Sequence, residues 1–465
     1  MTSAPMLAMS AAQHALLRSH LFPGDELEAA AILLCSRTPA PRMRFIVREM
    51  IMVPHEHCHR ERDRLTWPGD ALVAAVDRAE KENLALVLTH SHPGGLFGFS
   101  DLDDRSDRLT IGSLLQGYGT CHASAIMTPS GSMAARWYGQ DLVPNDFAAV
   151  SVTGHELRWW WRDNAFVNRP LAFTSAARDE LARLCVCIIG VSGTGSVVAE
   201  QLARMGFGRV LLIDHDRVEK KNLNRILNST LAHAQAETIK VEAMADAITL
   251  YRGSGVAVPL AKSITVREAV LLASQADMLF SCVDTLDARH IADEIAACFC
   301  LPLFDVGVTI PTRKAANGTP VIADVCGRID YVQPGGSTLR DRGIYSPASL
   351  RAEYLRRVAP DAHADEVKAG YLKGVKEEAP SVIALNMRAA SACVMELIAR
   401  IYPFRHEPNA LFARTEFSLA AGEEMHTAEA AFNAESNPKL GRGAAEPLLG
   451  LPALRLPKSA NGGAV

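Results

Sequence analysis

None of the ten cysteines in this 465-residue chain forms a Cys-x-x-Cys pair, so the zinc-ribbon pattern is missing. Most of them lie in apolar segments, where a thiol serves as a small core side chain, and a reduced cytoplasm is the expected compartment. No apolar run approaches the roughly 20 residues needed to cross a bilayer. The start, Met1-Thr-Ser-Ala-Pro5, has neither the basic stretch nor the apolar core of a signal peptide. A net charge of −4 gives no electrostatic ground for binding nucleic acid or an anionic membrane. No internal repeat stands out. What remains is an ordinary globular composition, 48% hydrophobic and 22% charged, at a length that predicts two to three domains.

Against that plain background one stretch carries chemistry. It runs His90-Ser-His-Pro-Gly-Gly-Leu-Phe-Gly-Phe-Ser100-Asp-Leu-Asp103 and follows Leu84-Ala-Leu-Val-Leu-Thr89, an apolar run that reads as a buried strand. Side chains alternate along a strand, so His90 and His92 point to the same side. Two adjacent imidazoles suit zinc, and Asp103 supplies a third ligand after the loop. Three protein ligands leave a position for water, the catalytic arrangement, and zinc lowers the pKa of that water to about 7. A structural alternative accounts for part of the pattern: Ser100-x-x-Asp103 also fits a helix capping box, with Asp in place of the usual Glu. Capping leaves the histidine pair unexplained, and the two roles are compatible.

The pattern H-x-H, seven residues, S-x-x-D resembles the JAMM metallopeptidases, which include deubiquitinases. The resemblance implies zinc held by His90, His92 and Asp103, a Ser100 that orients or stabilises the oxygen species, and an upstream Glu as general acid/base. Glu28, just before Ala29-Ala-Ala-Ile-Leu-Leu-Cys35, matches that Glu; Glu26 and Glu49 are the other candidates. A second histidine group, His55, His57 and His59 around Cys58, sits in an Arg-rich polar stretch and is expected to be a solvated loop.

The first domain is expected to span 1–145, with Ala125-Ile-Met127 and Met133-Ala-Ala-Arg-Trp-Tyr138 among its last strands. A linker over 146–167 follows, whose Leu157-Arg-Trp-Trp-Trp-Arg162 is too aromatic for water and is expected to dock on a neighbouring domain or subunit. A second domain is placed at 168–410. An extension over 411–465 turns polar and, from Asn433, rich in Ala, Pro, Gly and Asn, which predicts a poorly ordered end.

In the second domain Cys185-Val-Cys-Ile-Ile189 reads as a buried strand. It runs into Gly190-Val-Ser-Gly193-Thr-Gly195, a helix over 196–205, and a strand Arg209-Val-Leu-Leu-Ile213 ending at Asp214. This is a Rossmann-like strand, turn, helix and strand with an acidic residue about 20 positions on. The glycines permit a tight turn, the helix N-terminus favours phosphate, and Asp214 can accept from ribose hydroxyls. Taken alone the motif also fits an NAD-dependent oxidoreductase, and Ser192 stands where the middle glycine is usual.

Asp214-His-Asp-Arg-Val218, Asn222-Leu-Asn-Arg225, Lys240 on a predicted helix and Met278-Leu-Phe-Ser-Cys-Val-Asp284 follow in an order that resembles the ThiF-type adenylating domain of the ubiquitin-activating enzymes and their relatives in thiamin and molybdopterin biosynthesis. The resemblance spans about residues 165–410. It implies ATP on Gly190, Gly193 and Gly195, ribose on Asp214, triphosphate contacts from Asn222, Arg225 and Lys240, and magnesium near Asp284. It also implies that Arg169 reaches the γ-phosphate across a homodimer interface. Relatives usually carry cysteines after Pro-Gly-Gly in the crossover segment. This chain has Ser337, Thr338 and Asp341 there; Cys326 is the nearest alternative for a thioester, and Cys393 falls in a predicted core helix.

Both domains are therefore expected to be α/β, the first with a mixed sheet flanked by helices, the second with a mostly parallel sheet. Together the resemblances imply zinc-dependent cleavage after the terminal glycine of a ubiquitin-like protein and adenylation of the carboxylate so exposed. The next partner would be a conjugating enzyme or a sulfur donor. Two other outcomes stay open: activation of a sulfur carrier as a thiocarboxylate, and a module that binds ubiquitin-like proteins with reduced turnover.

Overall fold

The computed structural model describes residues 5–39, 41–163, 174–359 and 382–456. These form two compact units. Among the described residues, one holds 5–163, 297–300 and 438–456, and the other holds 174–296 and 301–437.

The first unit is built on β1 (Met6–Ser10), α1 (Ala11–Leu21), β2 (Ala30–Arg37), β3 (Arg44–Met52), α2 (Gly69–Glu82), β4 (Ala85–Ser91), α3 (Asp101–Gly117), β5 (His122–Met127), β6 (Met133–Tyr138), β7 (Pro144–Asp146), β8 (Ala149–Thr153) and β9 (Leu157–Trp161). One sheet holds all nine strands in the order β9-β8-β1-β3-β2-β4-β5-β6-β7. It is mixed: β1 pairs in parallel with β3 and β8, and β4 with β5, while β2 runs antiparallel to β3 and β4. β2 is buried on both sides, as its unbroken apolar run requires. Ala31, Leu33 and Val87 face Leu17 and Leu21 of α1. Ile32, Leu34, Leu86 and Leu88 face Ala75 and Ala79 of α2 and Ile111, Leu114 and Leu115 of α3. The side chain of His90 shares that second face by strand alternation.

The expected linker is corrected by the strand ladder. β8 adds to β1, and β9 closes antiparallel on β8, pairing Val152 with Arg158 and Val150 with Trp160. Leu157, Trp159 and Trp161 are buried, Arg158 is exposed, and Trp160 is half-buried. The segment is therefore a strand of this sheet, its side chains alternating between the two faces, and Trp160 packs against the core shared with α1.

The second unit follows the Rossmann-like expectation. Its elements are α4 (Ser175–Leu181), β10 (Cys185–Ile189), α5 (Gly193–Met205), β11 (Arg209–Ile213), α6 (Lys240–Arg252), β12 (Ala257–Leu260), α7 (Arg267–Ala273), β13 (Met278–Ser281), α8 (Leu286–Phe299), β14 (Leu303–Thr309), β15 (Cys326–Val332), α9 (Pro347–Val358), α10 (Ile383–Ile401), β16 (Arg414–Ser418) and β17 (Glu423–Thr427). The sheet order is β12-β11-β10-β13-β14-β15-β16-β17. The first five strands are parallel, and the last three are joined antiparallel to β14. The strand order reverses between β10 and β13, a switch point at which such sheets hold ligands beyond the strand carboxyl ends.

The expected end of this domain at 410 is also corrected, since β16 and β17 extend the sheet past it. Beyond them, 438–456 groups with the first unit. Ser36 Oγ donates to Gly441 O at 2.7 Å, and Arg48 Nη1 donates to the carbonyls of Pro438 and Leu440 at 2.7 and 2.8 Å. Gly441 and Gly443 have positive φ, and a Cβ on either would lie within 2.5 Å of Val47 O or Ser36 Oγ. The glycines that predicted disorder here permit close backbone approach. Arg169 and residues 457–465 lie outside the described residues.

Candidate active sites

The first site lies where β4 runs out towards α3. His90 Nε2 is 3.0 Å from His92 Nε2 and 3.0 Å from Asp103 Oδ1, and His92 Nε2 is 3.4 Å from Asp103 Oδ2. One ligand atom from each residue falls within 4.8 Å of the others. His92 Nδ1 contacts the Leu96 carbonyl at 3.0 Å; donation through that nitrogen leaves Nε2 free to ligate, the usual support for a metal-bound histidine. This donor set, two imidazole nitrogens and a carboxylate converging from a strand and a helix, fits zinc.

Capping and site coexist at Ser100. Asp103 Oδ2 accepts from Ser100 N at 2.6 Å and from Ser100 Oγ at 2.8 Å, and Asp103 N donates back to Ser100 Oγ at 3.2 Å. The Ser100 hydroxyl is thus engaged with the Asp103 carboxylate, a positioning contact that the sequence pattern alone did not separate from a role on substrate. Burial works against ionisation of Asp103, but hydrogen bonds from His90 and His92 outweigh it and hold the carboxyl well below the usual range.

Glu28 is buried. In the ladder Ala30 lies opposite His90, and Ser91 N donates to Ala29 O at 3.0 Å, so the chain entering β2 brings Glu28 beside His92. Burial pushes its carboxyl up to about 6, against the opposing pull of His90 and His92. Among the alternatives, Glu26 and Glu49 pair with Arg62 and Arg78. The His55–His59 stretch is a 3-10 turn followed by a two-residue strand; His55 stacks on His20, and His59 pairs with Glu61.

The second site lies at the switch point. Gly190, with φ of 86°, turns the chain after β10, and a Cβ there would meet Cys282 O at 2.9 Å. At Gly195 a Cβ would lie 1.8 Å from Gly190 O, and at Gly193, the first residue of α5, 2.2 Å from the Asn386 side chain and 3.4 Å from Arg225 Cδ. The three glycines are therefore fixed by contact, and Arg225 lies beside the N-terminus of α5.

Asp214 follows β11 with its carboxylate accepting from Val191 N at 2.7 Å and Asp216 N at 2.9 Å. Burial raises its pKa, and Lys240 opposes the shift. The Lys240 ammonium donates to Asp216 Oδ2 at 2.7 Å. Asp216 is a member that the sequence reading passed over; its signal was the second Asp of Asp214-His-Asp216. Asn222 is buried and caps its own turn through Glu219 N at 3.1 Å. Asp284 is exposed three residues beyond β13. The structure thus brings Gly190, Gly193, Gly195, Asp214, Arg225 and Lys240 around the carboxyl ends of β10 and β11, with Asp284 beyond the adjoining strand.

The crossover segment is locked. Ser337 N donates to Glu429 Oε1 at 2.6 Å, and its hydroxyl accepts from Arg342 Nε at 2.9 Å. Thr338 and Asp341 cap each other at 2.9 and 3.1 Å. Burial and the neighbouring Asp324 push the Cys326 thiol up to about 11, and burial raises the Cys393 thiol as well. A raised pKa disfavours the thiolate that a thioester requires.

A switch-point glycine turn thus lies in one unit and a His–His–Asp cluster in the other. The chain belongs to the ThiF family, whose model matches residues 167–404, and residues 10–138 match the model of prokaryotic homologs of the JAB domain. Among curated proteins it is similar to ubiquitin-like modifier-activating enzyme 5 of Drosophila persimilis, 30% identical over 162 residues that cover 32% of this chain and 38% of that protein. The same enzyme of Caenorhabditis elegans is 35% identical over 169 residues, covering 34% and 36%. The chain thus spans little more than a third of the length of these relatives. Of solved structures, Escherichia coli MccB with ATP aligns at 18% identity and a TM-score of 0.41, covering 54% of this chain and 66% of that one.

Proposed function

We propose that the chain is a bifunctional enzyme for a ubiquitin-like protein, adenylating its C-terminal carboxylate with ATP and cleaving after its terminal glycine at a zinc centre. The observation that carries this reading is the pairing of a ThiF domain, its glycine turn intact at the switch point, with the convergent His90, His92 and Asp103. An adenylating site consumes the free carboxylate that such a peptidase exposes.

In the ThiF unit the glycine turn and the N-terminus of α5 receive the phosphates, and Asp214 receives the ribose on acceptor positions left by its two backbone bonds. As pyrophosphate leaves, negative charge is redistributed over phosphate oxygens. Asn222, Arg225 and Lys240 stabilise it, Lys240 by exchanging the Asp216 carboxylate for phosphate oxygens. Arg169 joins them from the partner of a homodimer. Asp284 would help hold magnesium, which would supply further charge neutralisation. In the JAB unit His90, His92 and Asp103 would hold zinc, which would supply Lewis acidity and a more acidic water. Glu28, with its carboxyl at about 6, takes and returns a proton near neutral pH, and Ser100 holds Asp103 in orientation. Ten free cysteines agree with a reducing cytoplasm.

The locked Ser337 and the raised Cys326 favour one branch: the adenylate passes directly to its acceptor, a sulfur donor or an amine, without a thioester on this chain. The test is ATP–pyrophosphate exchange with candidate ubiquitin-like proteins, followed by mass measurement after incubation with ATP and zinc. Exchange plus loss of residues after the terminal glycine is expected. Binding with neither exchange nor trimming would leave a docking module instead.

A further inference from the structure

The metal ligands come from two elements, His90 and His92 from the end of β4 and Asp103 from the first turn of α3. A metal centre tolerates only small errors in such spacing, so something must hold helix to sheet. We propose that Arg136 of β6 is the positioning residue of the zinc site; this rests on the zinc reading above.

The Arg136 guanidinium grips both flanks of the Ser100–Asp103 box. On one side it lies 3.8 Å from the ring centroid of Phe99, the residue before Ser100. On the other it pairs with Asp104, the residue after Asp103. One turn on, Asp107 Oδ2 accepts from Arg136 Nη2 at 2.6 Å and Nε at 3.0 Å, and from Tyr138 Oη at 2.9 Å. Arg136 and Asp107 are both buried, so that pair is shielded from solvent, unlike ordinary surface ion pairs, while Asp104 is partly exposed.

Its base is the sheet that carries the histidines. Arg136 pairs with Ser124 and Ser124 with Leu88, while Ala134 pairs with Ile126 and Ile126 with His90. Two ladder steps therefore connect the strand under the guanidinium to the strand that presents His90. The guanidinium spans from that rigid platform to Phe99, Asp104 and Asp107, and so fixes how far Asp103 stands from the imidazoles. A lysine at this position keeps the charge but loses the planar fork, and cannot hold Asp104 and Asp107 together while lying over Phe99.

The test is zinc competition against a chromophoric chelator on the full chain, with the absorption spectrum of the cobalt-substituted protein as a geometric readout. Arg136→Lys is expected to weaken zinc by about 10- to 100-fold, the range for residues that support metal ligands, and to change the cobalt bands, with the thermal transition retained. Should that variant fail to fold, Asp104→Asn, at a partly exposed carboxylate, is expected to weaken zinc by about 2- to 10-fold. If Arg136→Lys folds and matches the parent in both readouts while His92→Ala loses metal, the Arg136 assignment is overturned and the zinc site stands. Asp104→Asn with parent affinity and cobalt spectrum overturns it equally. A parent chain that takes up neither zinc nor cobalt overturns the zinc reading and the role of Arg136 with it.

Discussion

The two sites differ in how their charged groups are partnered. At the zinc centre three ligand atoms face one another within 4.8 Å, and both histidines contact Asp103 directly. At the nucleotide site the charges are already matched: Lys240 holds Asp216, and Asp214 holds two backbone amides. The first arrangement is a set of contacts between two imidazoles and one carboxylate, each of which offers one atom that a metal ion would take up. The second is stable by itself and must exchange partners to take a triphosphate. One site is organised to capture an ion, the other to keep its own cation in place until an anionic ligand competes for it.

The largest expected effects test whether the two sites are independent. His92→Ala should remove bound metal and cleavage and leave pyrophosphate exchange at the parent rate. Lys240→Ala should cut exchange by about 10²- to 10³-fold, the scale for loss of one transition-state contact, and leave metal content unchanged. Cross-effects in either direction would show that the halves are coupled. A smaller effect concerns proton transfer at the zinc site alone. Glu28 serves as base only when ionised, and burial holds its carboxyl at about 6, so cleavage should rise with pH through about 6 and be lost below it. Glu28→Gln should abolish that limb along with most of the rate; an acid limb centred near 4.5 would assign the base elsewhere. The smallest expected effect is at Cys326. Cys326→Ser should leave adenylate formation within error of the parent, and a thioester lost in this variant alone would restore the transfer step that the raised thiol argues against.

How much of each site was legible follows from sequence separation. The zinc ligands fall within 14 consecutive residues, so strand alternation and a capped helix were enough to bring them together. Glu28 needed the ladder between β2 and β4, which no local pattern gives, yet the apolar run after it marked the right strand. The cations of the nucleotide site span Arg225 to Lys240, and their partners were not legible: Asp216 was passed over because pairing across a turn has no period. The two errors at domain edges share a cause. The tryptophan segment at 157–161 was judged by composition as a linker when its two-residue alternation marked a strand. Glycines at 441 and 443 were judged by composition, although their positive φ serves close packing. Arg136 carried no signal at all, since an arginine in a strand near the end of a domain looks like a solvated edge.

The return of residues 438–456 to the first unit gives the chain a nested order. A strand-level core laid down by the first 163 residues receives its last packing segment only after the whole ThiF unit has been made. Deleting that segment would leave Ser36 Oγ and the Arg48 guanidinium without the carbonyls they bind, although neither is near the cut in sequence. The JAB-like unit is therefore drawn from both sides of the ThiF unit in sequence, and no single cut detaches it whole.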